Sequence, residues 1–337
     1  MFLFPITAYG AGVSVSAGSA VVIDAQTHTV LYEKSAYDSR AMASTTKIMT
    51  CLLACESNKC EDDVVITSQM LDGAIGSLVY LKEGDKISFL DLIKGAMLAS
   101  GNDCANAIAV CVSGDMESFL KLMNERADEI GMKNTIFETP SGLDEGRHHS
   151  TAYDMALLSA EAMKNELFRS ICCMPSAEIE INSEKQTIYN HNKLLSSDKR
   201  FVGVKTGYTE KAGRCLVSAY DYKGRTIIVV TMSAPDDWED HKRLVNFAKK
   251  KYRHITDKMD ISIDAVGGNK DNLKCSAKYD LYCVDNISCK AYYFPFIYAP
   301  LKKGDKVGRL EIFEKNNKIM TVDIIVREDI ELWQETK

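Results

Sequence analysis

Three short strings, remote from one another in the chain, can serve a single site only if the fold brings them together. They are Ser44-Thr45-Thr46-Lys47, Ser100-Gly101-Asn102 and Lys205-Thr206-Gly207. This requirement constrains the fold more tightly than any hydrophobic pattern in the chain. The first string supplies a hydroxyl with an amine one helical turn away. The second adds a hydroxyl and an amide. The third places a cation on an expected strand edge. Such a set suits acyl transfer on a substrate that ends in a carboxylate.

Taken singly, the strings say little. A Ser-x-x-Lys pattern is expected about once by chance in a chain of this length. It recurs here at Ser118/Lys121 and Ser196/Lys199, which read as solvated surface pairs. Lys-Thr-Gly is rarer, with a chance expectation of roughly 0.1, and occurs only at Lys205. Local context adds weight. Ile48, Met49, Leu52 and Leu53 follow Ser44 at helical spacing. Ser44 is therefore expected as the N-cap of that helix, with Lys47 on the same face. Alone, this pair would read as a plain cap beside an exposed lysine. Ser100 and Asn102 fall in a break between helical patterns at 90–98 and 102–112, and a loop suits function.

With their flanks, these residues resemble the low-molecular-mass, serine-type penicillin-binding D-alanyl-D-alanine carboxypeptidases. The resemblance is carried by 43–50 (ASTTKIMT), 99–103 (ASGND) and 203–209 (GVKTGYT), with support from 140–144 (PSGLD) and 150–156 (STAYDMA). It covers residues 18–255 and continues more weakly to the end. It implies an α+β catalytic domain of the serine β-lactamase/transpeptidase type: an antiparallel sheet plus a helical lobe, followed by a small all-β domain. Expected boundaries are 1–18 for a residual signal or disordered N-terminus, 19–256 for the catalytic domain and 257–337 for the β-rich domain. The substrate implied is the peptidoglycan stem peptide ending in D-Ala-D-Ala, with β-lactam antibiotics as covalent inhibitors. An exported protein at the cell wall or the outer face of the cytoplasmic membrane is implied. A peripheral membrane association would run through a C-terminal anchor that the chain lacks or has lost. No cofactor is implied.

The resemblance also assigns roles. Ser44 is the nucleophile and Lys47 its base, provided that burial or a nearby cation such as Lys205 lowers the amine's pKa. Ser100 passes the proton to the leaving amine. Asn102 holds the substrate amide and positions Lys47. Lys205 and the Thr206 hydroxyl bind the terminal carboxylate. Gly207 lets substrate backbone approach. The backbone N–H groups of Ser44 and Tyr208 form the oxyanion hole. One departure stands out. Where some relatives carry a carboxylate-binding arginine, the register places Asp237. Arg214 reads as a surface residue, with a role in the cleft as the alternative. His148 and His149 read as loop-structuring residues.

Two rival readings remain at this stage. A class A-like β-lactamase needs a glutamate to activate water, but residues 140–170 hold no Glu-x-x-Leu-Asn, and the second string is Ser-Gly-Asn. A non-catalytic penicillin-binding or wall-binding protein would not need all three strings intact. The net charge of −6 argues against nucleic acid as a partner. Eleven cysteines at irregular spacing do not read as a disulfide framework. Without a CxxC, paired zinc ligands are not expected and no metal site is assigned. Local pairing among Cys275, Cys283 and Cys289 stays open.

Overall fold

The structure, a computed structural model, describes residues 13–333. The chain divides after Lys249 into two compact units. The first opens with a hairpin, β1 (Ser19–Asp24) and β2 (Val30–Lys34). A 3-10 turn at Ala43–Thr46 leads into α1 (Lys47–Glu56). The helical lobe contains α2 (Ser68–Leu71), α3 (Phe89–Met97), α4 (Asn102–Ser113) and α5 (Met116–Ile130). Short strands β3 (Asp63–Val65) and β4 (Lys86–Ser88) interrupt it. Next come α6 (Ala152–Ala162), α7 (Glu166–Cys172), a hairpin of β5 (Ser176–Ile181) and β6 (Glu184–Tyr189), and the single turn α8 (Leu194–Ser197). Strands β7 (Phe201–Thr209), β8 (Gly213–Tyr222) and β9 (Arg225–Met232) and helix α9 (Asp237–Lys249) complete the unit.

Its main sheet has the order β2-β1-β9-β8-β7 and is antiparallel throughout. Every residue of β1 and β9 is buried. Both α6 and α9 pack on β1, β8 and β9. Covered strands of this kind need continuous apolar runs, which VVI and IIVV supply. Helix α1 is buried from Lys47 to Ala54, so it forms the middle of the lobe and not an amphipathic flank.

Helices α3, α5, α6 and α7 each start on a side-chain cap, from Ser88, Asp115, Thr151 and Asn165. Helix α1 does not. Ser44 was expected to cap it, yet Ser44 lies inside the 3-10 turn and makes no capping bond. The reason lies in its neighbours. The Thr45 hydroxyl donates to the Met42 carbonyl (2.6 Å) and the Thr46 hydroxyl to the Ala43 carbonyl (2.9 Å). These bonds hold the tight turn and leave the Ser44 hydroxyl free for other work.

The N-terminal expectation is corrected in part. Residues 1–12 lie outside the described residues. Val15 and Ala17 are buried. The Asp240 carboxylate, itself fully buried, accepts from the Ser16 N–H (2.9 Å), the Ser16 hydroxyl (2.7 Å) and the Ala17 N–H (3.1 Å). Residues 15–18 are therefore part of the fold. A small second sheet of order β3-β4-β5-β6 joins two short strands of the 64–130 stretch, where the pattern predicts only helices and turns, to the hairpin β5–β6.

The second unit, residues 250–337, is built from β10 (Arg253–Val266), β11 (Asn272–Cys283), β12 (Ile287–Tyr293), β13 (Phe296–Tyr298), β14 (Lys306–Glu314) and β15 (Asn317–Val326). The division falls earlier than residue 256 because β10 begins at Arg253, paired with Cys283. The six strands form one sheet of order β12-β14-β15-β11-β10-β13. Its core includes Ile263, Leu273, Leu281, Leu310, Ile312, Ile324 and Val326. All eleven cysteines are free. Cys275 and Cys283 sit eight residues apart on the extended strand β11, a separation that exceeds what a disulfide spans.

Asp240 gives a direct test of how the N-terminal segment is held. Asp240→Ala leaves the buried Ala17 N–H and the part-buried Ser16 donors without their acceptor, and denaturant unfolding should show a loss of about 2 kcal/mol. Unchanged stability would mean that residues 15–18 do not pack as described.

Candidate active site

Lys47 is the first residue of α1 and has no exposed surface. Its Nζ lies 2.9 Å from the Ser44 Oγ, 2.6 Å from the Asn102 Oδ1 and 2.7 Å from the Ser141 carbonyl oxygen. Burial pushes its pKa well below the ordinary lysine value, and the charge of Lys205 pushes the same way. The amide and carbonyl oxygens can only accept. A neutral amine donates its two N–H groups to them and keeps its lone pair for the Ser44 hydroxyl. The three contacts thus turn an amine lone pair towards a serine hydroxyl, an arrangement able to act as base and nucleophile.

Each of those acceptors is itself fixed. The Asn102 Nδ2 donates to the Ile75 carbonyl, which sets the amide orientation. The Asp103 carboxylate accepts from the N–H groups of Val79 (3.0 Å) and Leu81 (3.1 Å), holding the 75–81 loop against α4. The loop carrying Ser141 is tied to α1 by the Thr50 hydroxyl, which donates to the Pro140 carbonyl (2.6 Å). His148 ties it to the Ser44 turn. Its Nδ1 accepts from the Glu138 N–H (3.0 Å), so its Nε2 carries the proton and donates to the Thr46 Oγ1 (2.9 Å). Burial holds the His148 pKa down to about 4, so the ring stays neutral. Gly142 has φ +87°, and a Cβ there would lie 1.9 Å from the Ala43 carbonyl oxygen, so only glycine lets the loop close on the turn.

The second amine comes from β7, the edge of the main sheet. Lys205 is buried, and its Nζ donates to the Ser100 Oγ (3.1 Å) and the Thr206 carbonyl (3.1 Å). Burial lowers its pKa to about 8, so it keeps its proton at neutral pH while Lys47, beside that charge, gives its own up first. Ser100 has φ +61° in the link between α3 and α4. Gly207 also serves a contact within the protein. A Cβ on it would meet the Ser44 backbone nitrogen at 2.9 Å and the Thr45 nitrogen at 3.0 Å. The close approach it permits is between β7 and the Ser44 turn of the protein itself. Tyr208 exposes its side chain, so the backbone is the part of it that could face the nucleophile.

Ser44, Ser100, Thr206, Gly207 and Tyr208 line one cleft of about 520 Å³. The structure adds Ser77, His191, Lys193, Arg214, Cys215, Asp237 and Trp238 to its walls. Arg214 is thereby moved from the surface into the cleft. It sits opposite Tyr208 in the β7–β8 pairing. Its Nη2 lies 2.6 Å from the Asp237 carboxylate, its guanidinium stands 5.7 Å from the centre of the Trp238 ring, and its buried Nε has no partner. No motif marks Arg214; only the pairing of β8 with β7 and the position of α9 put it there.

A serine hydroxyl in contact with a buried lysine amine on an α+β scaffold, beside a strand edge that carries a second lysine, is the arrangement expected of a serine acyl-transfer enzyme of the penicillin-binding type. The chain belongs to the D-alanyl-D-alanine carboxypeptidase family, whose description matches residues 7–236, and residues 243–332 match the C-terminal domain of penicillin-binding protein 5. Among its relatives is the D-alanyl-D-alanine carboxypeptidase DacF of Bacillus subtilis, 32% identical, covering 93% of this chain and 86% of that protein. The crystal structure of the D-alanyl-D-alanine carboxypeptidase DacD from Francisella tularensis superposes with a TM-score of 0.65 at 25% identity, over 96% of this chain and 95% of that one. A mutant of a Streptomyces DD-transpeptidase gives 0.67 at 29% identity, over 70% and 99%.

The buried amines have a measurable consequence for stability. In the unfolded chain Lys205 holds its proton up to the ordinary value of 10.5; in the fold it loses it at about 8. Between those limits the unfolded state binds more protons, so unfolding free energy should rise with pH across that window. Denaturant titrations of the protein and of Lys205→Met should show the slope in the first and its reduction in the second. Equal slopes would contradict the burial of this amine.

Proposed function

We propose that this chain is a serine-type carboxypeptidase that removes the terminal D-alanine from peptidoglycan stem peptides ending in D-Ala-D-Ala. The observation that carries the reading is the Lys47 amine, buried and with its N–H groups committed to Asn102 and Ser141 so that Ser44 faces its lone pair. Ser44 loses its proton to Lys47 and attacks the penultimate D-alanine carbonyl. The oxyanion is met by the N–H groups of Ser44 and Tyr208. Ser100, in contact with Lys205, delivers its proton to the departing amine and is restored by the proton that Lys47 took from Ser44, which leaves Lys47 neutral again. Water then enters, Lys47 takes its proton, the acyl-serine ester breaks, and that proton returns to the Ser44 oxygen. Each oxyanion donor is worth about 3 kcal/mol of barrier. Lys205 and Thr206 receive the substrate's terminal carboxylate, and Asn102 its peptide amide.

Arg214 supplies a second cation for that carboxylate. Asp237 and Trp238 hold its guanidinium, and its Nε is still unpaired. Asp237 is the one acid among the described residues lining the cleft, and it is bound to Arg214. No free carboxylate stands ready to activate water against a penicilloyl ester, which supports inhibition by β-lactams over their destruction. The unit that ends at Lys249 carries the chemistry and the unit from Lys250 onward is the β-rich domain. Acting on peptidoglycan implies an extracytoplasmic location, at the wall or the outer face of the membrane. Among the described residues no helix is long and apolar enough to cross a membrane.

Mass spectrometry of a pentapeptide ending in D-Ala-D-Ala should show loss of one D-alanine, and Ser44→Ala should lower the rate at least about ten-thousand-fold. A fully active Ser44→Ala would remove the proposal. Rapid penicillin turnover would favour a β-lactamase, and products joined to an added amine would favour a transpeptidase. Arg214→Ala should raise KM about tenfold on the free peptide, equivalent to about 1.4 kcal/mol, with no change on the C-terminal amide. An equal effect on both would place Arg214 outside carboxylate binding.

A further inference from the structure

The second unit exposes apolar surface out of proportion to its size. Among the described residues, nine of the fifteen large exposed hydrophobic ones lie in it: Val266, Tyr292, Tyr293, Phe294, Phe296, Tyr298, Ile325, Leu332 and Trp333. Scattered surface hydrophobes need no explanation; a contiguous set does. Here contiguity follows from topology. Strands β12 and β13 are opposite edges of the sheet, yet only Phe294 and Pro295 separate them in sequence. The sheet must therefore roll until its edges meet, and the run Tyr292 to Tyr298 bridges the seam. A groove of about 600 Å³ lies there, between this run and Lys306, Val307 and Gly308 of β14.

The surface extends beyond the seam. Val266 is paired with Tyr298, Leu332 bridges to Gly268, and the Trp333 N–H donates to the Gly267 carbonyl (3.0 Å). Phe294 is 76% exposed and has no polar atom with which to bind water. Charge follows the same stretch. Residues 290–309 hold Lys290, Lys302, Lys303, Lys306 and Arg309 against Asp305 alone, in a chain of net charge −6. Lys306 pairs with Asp323 and Arg309 with Glu311. Lys302 and Lys303 are exposed; their backbone N–H groups donate to the Asp305 (2.8 Å) and Asp329 (2.7 Å) carboxylates, while their ammonium groups appear in none of the ion pairs among the described residues.

We propose that the segment 292–298, with Val266, Leu332 and Trp333, is a docking surface for a bilayer containing anionic lipid. Phe, Tyr and Trp side chains grouped at one surface beside unpaired lysines match the boundary between acyl chains and anionic headgroups. A protein partner would demand a surface of matched shape; a bilayer needs only apolar rings with cations beside them. The inference does not rest on the catalytic reading, and its test does not use activity as a readout.

The full chain is sedimented with vesicles of phosphatidylcholine, alone or with phosphatidylglycerol added. Binding is expected on the anionic vesicles and should weaken as salt rises. The double variant F294S/F296S should lower the partition coefficient about tenfold or more. K302E/K303E should lower it about tenfold on anionic vesicles only. All these positions are exposed, and circular dichroism would confirm that each variant folds. The proposal fails if the protein ignores anionic vesicles or if both variants bind like the parent. It also fails if soluble anionic wall polymer is preferred to vesicles, or if light scattering shows a dimer that F294S/F296S abolishes.

Discussion

The site depends on keeping two amines out of water next to each other. A buried ammonium is costly, and two in one pocket cost more, so the pocket favours loss of one proton. Lys47, close to the charge of Lys205, is the one that yields. That asymmetry would turn a structural liability into a base facing a serine. It holds only while water is excluded and the acceptors around Lys47 stay in place. Much of the local architecture can be read as serving this need: the 75–81 loop anchored on Asp103, the 140–143 loop anchored on Thr50 and His148, and the glycine that lets that loop touch the Ser44 turn.

The main sheet adds the other half. Its edge strand β7 could not approach the nucleophile turn if position 207 bore a side chain. With glycine there, backbone passes beside backbone, and Lys205 reaches across to Ser100. The next strand contributes Arg214, braced by Asp237 and Trp238 from the start of α9. In the proposed mechanism, cations for an anionic substrate end thus come from neighbouring strands, while the base and proton relay come from the helical lobe. Lobe and sheet each carry part of the chemistry, and the cleft exists where they face one another.

The second unit obeys a different logic. Its strands bury a compact apolar core, yet its seam shows aromatic rings to solvent. An edge that closes on itself through two residues leaves little room to turn those rings inward. Exposing them is tolerable in a protein that keeps them covered by something else, and the lysines beside them indicate what kind of surface that is.

The sequence by itself determined the parts with local causes. Apolar periodicity located α1 and the strands around it, turn residues separated the β runs of the second unit, and three intact strings named Ser44, Lys47, Ser100, Asn102 and Lys205. Those residues do meet in the structure. Spacing could not decide what the tertiary structure decided. Ser44 is freed from capping because two threonines bond backward. Gly207 serves contact within the protein, and Ser141 enters through a carbonyl that any residue type would carry. Arg214 enters through strand register alone. Cys275 and Cys283 stay apart because β11 is extended. Motifs record side-chain chemistry over a few residues, whereas backbone donors, cross-strand neighbours and the burial that shifts a pKa arise only when distant segments pack.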